Sequence, residues 1–185
     1  AVDRFAATHV LTSAGLITRH FDALPPGGPR FPGLVSLRLA GSLVPPAMYR
    51  EFFKPRHAIL WNRAKELAHV KVMLHCCGGV RELLPDMIDA GLDAINPVQV
   101  TCRGMEAHGL KADFGSRLTF WGGGCDTRDV LSRGTPAQVK SHVAEQIAAL
   151  HHNGGFVFQQ VHNALADVPP ENLVAMVEAV KAFRP

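Results

Sequence analysis

The chain has 185 residues, 47% of them hydrophobic and 19% charged, which suits one domain with a real core and excludes wholesale disorder. Nineteen basic and 16 acidic residues leave a net charge of +3 without a basic block. That balance argues against a nucleic-acid or lipid-surface partner, and no apolar run approaches the ~18 residues of a membrane span.

Residues 1–44 contain no Lys and no Glu and read as an irregular N-terminal segment. Residues 8–18 are expected to form a short helix. The prolines of 25–33 remove donors and fix φ, so that stretch is expected to be a loop. Residues 34–39 are expected to form a short strand. From Pro45 onward short apolar runs alternate with amphipathic stretches. Ile59, Leu60, Arg63, Ala64 and Leu67 mark a helix. The run Val70–His75 reads as a buried parallel strand, as do 94–98, 118–121 and 156–161. Pro85 opens a helix over 86–90 that Gly91 closes. Thr135 is the expected N-cap of a helix, with Pro136 at its first turn and Gln138 as the reciprocal partner. Glycine at 154–155 is expected to end that helix, and Leu173, Met176, Val177 and Val180 mark the last one.

Strands and helices recurring about every 24 residues imply right-handed βαβ units and a parallel sheet. A closed (β/α)8 barrel takes about 250 residues. The fold class is therefore α/β: a partial (β/α)8 TIM barrel of four to five units, or a smaller open sheet. Four cysteines, with Cys76 and Cys77 adjacent, do not make a disulfide scaffold. They read as reduced thiols, and the expected location is the cytoplasm.

In such folds reactive groups collect at the carboxyl ends of the strands. After the first run, His75 and Cys77 project the same way and Cys76 the other, because a strand alternates faces. Imidazole nitrogen and sulfur on one face suit half of a zinc site; a core cysteine beside a hydrogen-bonded histidine is the plainer reading. After the second run, Asn96 and Gln99 either orient a polar ligand or satisfy loop backbone. After the third, Gly122, Gly123 and Gly124 either admit a ligand to the backbone or make a tight turn, followed by Cys125 and Asp126. After the fourth come His162 and Asn163. His9, His20, His57, His69, His108, His142, His151 and His152 read as solvated.

The segment 75–99, His-Cys-Cys-Gly-Gly-Val-Arg-Glu-Leu-Leu-Pro-Asp-Met-Ile-Asp-Ala-Gly-Leu-Asp-Ala-Ile-Asn-Pro-Val-Gln, resembles the uroporphyrinogen decarboxylase superfamily. So do 49–56, 118–124, Arg133-Gly-Thr-Pro, and His162-Asn with Pro170-Glu-Asn. The resemblance covers 45–185 in unbroken order and implies the C-terminal half of a (β/α)8 barrel.

Two branches of that superfamily differ in chemistry. The decarboxylases act without a cofactor on a tetrapyrrole, removing an acetate carboxylate as CO2. The methyltransferases resemble zinc enzymes that move methyl groups between a corrinoid protein and a thiol or methylated substrate. Their zinc is held by His-x-Cys and a later Cys before the Pro-x-Glu-Asn segment. Here His75 and Cys77 match the first part, while His162 stands at the later position, where the decarboxylases place a substrate-facing His.

The resemblance implies His75 and Cys77 as metal ligands; His162 departs from the methyltransferase pattern but is expected to join them, because a His-Cys-His set suits a catalytic zinc with one open position, and the expected catalytic side chains are His162 and Asp126. Asn96, Gln99, Asn163 and Gly122–Gly124 are expected at the substrate. The methyltransferase branch is preferred because of His75-x-Cys77 and the thiol after the glycines. Tetrapyrrole decarboxylation is the alternative. An inactive half-barrel that pairs with a second copy to hide a sheet edge is another.

Overall fold

The structure is a computed structural model describing residues 9–12, 36–39 and 44–183. The chain forms two compact units, Ala1–Phe53 and Lys54–Pro185.

In the first unit β1 (His9–Thr12) pairs in parallel with β2 (Ser36–Leu39). The helix expected over 8–18 is therefore a strand at 9–12. Its Val-Leu-Thr run suits an extended backbone, and pairing with β2 outweighs a weak helical pattern. The rest of that expectation, and the loop expected at 25–33, lie outside the described residues. Of the strand expected at 34–39, Ser36–Leu39 is present as β2, and 34–35 lie outside the described residues. Helix α1 (Pro46–Met48) starts at a proline and leads into a π-helical turn, Tyr49–Phe53.

The second unit opens with α2 (Lys54–Leu67). Its apolar stripe is not a core face: Trp61 is buried, while Ile59, Leu60 and Leu67 are 73%, 64% and 69% exposed. Four strands follow: β3 (Met73–His75), β4 (Ala94–Asn96), β5 (Thr119–Trp121) and β6 (Phe156–Val157). They lie in sequence order in one parallel sheet. Between and after them come α3 (Leu84–Asp89), α4 (Ala107–Phe114), α5 (Pro136–His151) and α6 (Pro170–Ala182). This is the expected alternation, with shorter strands than the apolar runs suggest. Past β5 and β6 the two segments still pair: Gly124 N–H donates to the Gln159 carbonyl at 2.9 Å, and Val161 N–H to that of Cys125 at 2.8 Å. The fourth apolar run is thus held along its length, although regular strand ends at Val157.

Helix α5 has the capping box its sequence announces: Gln138 N–H donates to Thr135 Oγ1 at 3.3 Å, and Thr135 N–H to Gln138 Oε1 at 2.8 Å. The left-handed residue that ends it is Asn153 (φ 58°), ahead of Gly154 and Gly155. Asparagine tolerates that region because its short amide bonds locally. Ile95 and Phe120 are fully buried in the sheet, and Leu84 beside it. Val139, Val143 and Ile147 of α5 pack with Ala175 and Met176 of α6 and with Leu131. Apolar burial of this kind contributes roughly 25 cal/mol per Å2.

Lysine and aspartate join helix to strand. Lys65 Nζ lies 2.7 Å from Asp93 Oδ2, which also accepts from Val72 N–H at 2.7 Å. Among the described residues no helix is long and apolar enough to cross a membrane.

Candidate active site

The carboxyl ends of β3 to β6 carry a chain of side-chain hydrogen bonds. Parallel register sets His75 against Asn96. His75 Nδ1 and Asn96 Oδ1 are 2.7 Å apart. Asn96 Nδ2 donates to the Trp121 carbonyl at 3.1 Å and to Gln159 Oε1 at 3.1 Å. Each of the four strand ends thus contributes a group.

On its other side the His75 ring meets sulfur: Nε2 lies 3.4 Å from Cys77 Sγ. His75 and Cys77 are exposed, whereas Cys76 is half-buried. Same-side projection of His75 and Cys77, expected from strand alternation, therefore continues just past the end of β3. Burial, and then the neighbouring Cys77, push the Cys76 thiol up. Cys77 sits in a loop that Gln99 holds, since Gly78 N–H donates to Gln99 Oε1 at 2.8 Å.

Nitrogen at ~2.0–2.1 Å and sulfur at ~2.3 Å from a tetrahedral zinc would stand about 3.5 Å apart. The observed 3.4 Å fits that geometry. The donor set also fits, because a ligating histidine normally gives its other ring N–H to a fixed acceptor. Among the described residues, however, no group of three or more His, Cys, Asp or Glu side chains is placed to hold a metal ion. The expected triad of His75, Cys77 and His162 is therefore not assembled. His162 and Asn163 lie exposed in the turn that follows the Cys125–Gln160 bridge.

Several expected roles change once neighbours are visible. Asn96 is buried, and its amide is spent on three protein partners rather than on a ligand. Gln99 Oε1 serves the Cys77 loop. Asp126 is buried and closes a turn: its carboxylate oxygens accept from Arg128 N–H and Asp129 N–H, each at 3.1 Å. The glycines admit the protein's own atoms. A Cβ on Gly123 would stand 2.9 Å from Val98 Cβ, and one on Gly124 would strike the Phe158 ring.

The thiol of Cys125 gives no support to the methyltransferase branch. It is fully buried in the core, and burial, reinforced by the Asp126 charge, pushes it up to about 12. A thiol so placed is inert.

Three of the histidines read as solvated have partners. His57 stacks on Trp61 with centroids 4.3 Å apart, and His151 meets Phe183 edge-on. His142 Nε2 accepts from Asp126 N–H at 3.1 Å. Burial lowers its pKa, against the raising charges of Asp126 and Glu145. His142 also lines an open hollow of ≈ 440 Å3 with Asp129, Arg133, Gln138, Ser141 and Glu145. None of the expected site residues borders that hollow. Gln159 was missed in the sequence, where only its place at a strand end could have pointed to it.

A model of the uroporphyrinogen decarboxylase (URO-D) family matches residues 36–183. The match takes in β2 as well as the second unit. Uroporphyrinogen decarboxylases of Legionella pneumophila strains Lens and Corby are 28% and 27% identical to the chain over 146 residues. That stretch is 78% of this chain and 39% of theirs, so the chain spans about two fifths of the length of these relatives. The solved structure of a methyltransferase from Methanosarcina mazei aligns at a TM-score of 0.58 and 24% identity. It covers 75% of this chain and 38% of that one. This likeness shows the fold, and with the parallel order β3-β4-β5-β6 it makes the second unit part of a (β/α)8 barrel.

Proposed function

The chain belongs to the uroporphyrinogen decarboxylase (URO-D) family, and on that premise we propose that it is a methyl-transfer member whose His75 and Cys77 are ligands of a zinc ion. The methyl group passes between a corrinoid protein and a thiol. The observation that carries this reading is the exposed nitrogen–sulfur pair at 3.4 Å, with the far ring nitrogen of His75 held at 2.7 Å. When bound, zinc supplies Lewis acidity that keeps a substrate thiol as its nucleophilic thiolate.

The chain's own residues do the rest. His75 and Cys77 would hold the ion through Nε2 and Sγ. Asn96 keeps the imidazole from turning. Gln99 keeps the Cys77 loop against the sheet. Exposure of His75 and Cys77 leaves room for a macromolecular methyl carrier.

Tetrapyrrole decarboxylation is the second reading, favoured by the Legionella relatives, which are uroporphyrinogen decarboxylases at 28% and 27% identity. In it, exposed His162 contacts the substrate and no metal binds. Zinc quantification on reduced protein separates the two. The expected result is stoichiometric zinc in wild type and its loss in Cys77→Ala, together with thiol-dependent demethylation of methylcobalamin. Wild type with intact thiols and no zinc affinity would overturn the methyl-transfer reading.

A further inference from the structure

We propose that Asn96 is a positioning residue that fixes the tautomer of His75, so that a bare Nε2 faces the Cys77 sulfur. This deepens the zinc reading and rests on it for its purpose, although its test does not.

The backbone carbonyl of Trp121 has lone pairs and no proton. The amide atom of Asn96 that meets it at 3.1 Å must be the donor, Nδ2. A second acceptor, Gln159 Oε1, meets the same Nδ2 at 3.1 Å. The other end of the amide, Oδ1, is thereby turned to His75 Nδ1 at 2.7 Å. A carbonyl oxygen also has no proton, so the proton between them belongs to Nδ1. In a neutral imidazole the second nitrogen is then an acceptor. That nitrogen is the Nε2 that lies 3.4 Å from Cys77 Sγ.

An unconstrained imidazole exchanges between tautomers, and only one of them offers a lone pair at Nε2. Asn96 is 8% exposed, so water does not readily replace it as the acceptor. The tautomer is thus set through a backbone carbonyl of β5 and an amide beyond β6, neither of which touches His75 in this chain of bonds. Gln159 acts one step further out, by helping to aim Asn96.

Long-range 1H–15N correlation on the reduced, metal-free full chain at alkaline pH reads the proton directly. In wild type His75 is expected to carry its proton on Nδ1 with Nε2 bare. Asn96→Ala is expected to move the proton wholly or partly to Nε2. Gln159→Ala, which leaves the bond to Trp121, is expected to give an intermediate pattern, and it stands in if Asn96→Ala does not fold. A wild-type Nε2–H, or a pattern that neither variant moves, would overturn the proposal. Cobalt(II) titration supplies the second readout, through sulfur-to-metal absorption. Asn96→Ala is expected to weaken cobalt binding about 10- to 100-fold. Wild type that shows the expected tautomer but no cobalt affinity would defeat the metal reading and leave the role of Asn96 standing.

Discussion

Asn172, in the first turn of α6, donates from Nδ2 to the carbonyl of Leu131 at 2.9 Å. The same nitrogen reaches the Gly134 carbonyl at 2.8 Å, and the residue is 1% exposed. One amide therefore clips the loop before α5 onto the start of α6. Asn172→Ala takes this donor from the buried Leu131 carbonyl and the half-buried Gly134 carbonyl and is expected to cost about 1–3 kcal/mol. Urea unfolding checks this; a loss within a few tenths of a kcal/mol of zero would refute the clip.

Asp93 makes stability depend on acid. Burial pushes its carboxyl up, but hydrogen bonds from Lys65 and Val72, with the charges of Lys65 and Lys71, outweigh burial and leave it below its ordinary 3.8. A carboxylate with a lowered folded value stabilises fully above the ordinary value and loses that contribution as pH falls through the folded one. Partial exposure keeps the contribution to about 1–2 kcal/mol. Asp93→Ala is expected to lose that much at neutral pH. The gap to wild type should close as pH drops below about 4. A gap that stays constant into strong acid would remove this account.

The cysteines should react in a set order. Cys77 is exposed, Cys76 is half-buried with its thiol raised, and Cys125 is buried at about 12. Timed alkylation read by peptide mass spectrometry should label Cys77 first and leave Cys125 untouched until urea unfolds the chain. Native-state labelling of Cys125 at the Cys77 rate would contradict the burial described.

Gly123 has φ 82° and no space for a methyl group, with Val98 Cβ at 2.9 Å. Gly123→Ala is expected to lower stability by about 1–3 kcal/mol through strain and overpacking together. A thermal melt unchanged from wild type would show that the turn relaxes.

What the sequence made legible was local. The capping box of Thr135 and Gln138 is written within four consecutive residues, so it could be read without a partner. The parallel sheet followed from the alternating pattern, because short crossovers leave few topologies. His75 and Cys77 shared a face because period two links neighbours along one strand. Across strands the reading failed. Asn96 looked like a ligand-facing amide because its bond to His75 depends on register 21 positions away. Gly122–Gly124 looked open because nothing in the sequence places Val98 and Phe158 against them. Cys125 counted toward the methyltransferase branch because depth below the surface is not written in its neighbours. The same is true of His9–Thr12, whose extended state rests on pairing with Ser36–Leu39.

The bond between His75 and Asn96 ties chemistry to folding fidelity. A slip of one residue between β3 and β4 would hand His75 to the opposite face of the sheet and leave the Asn96 oxygen empty. Misregistered chains would still be compact and parallel, yet their imidazoles would lack orientation and their sulfurs a companion. A fixed His75 ring would therefore report on how many molecules have aligned their strands properly.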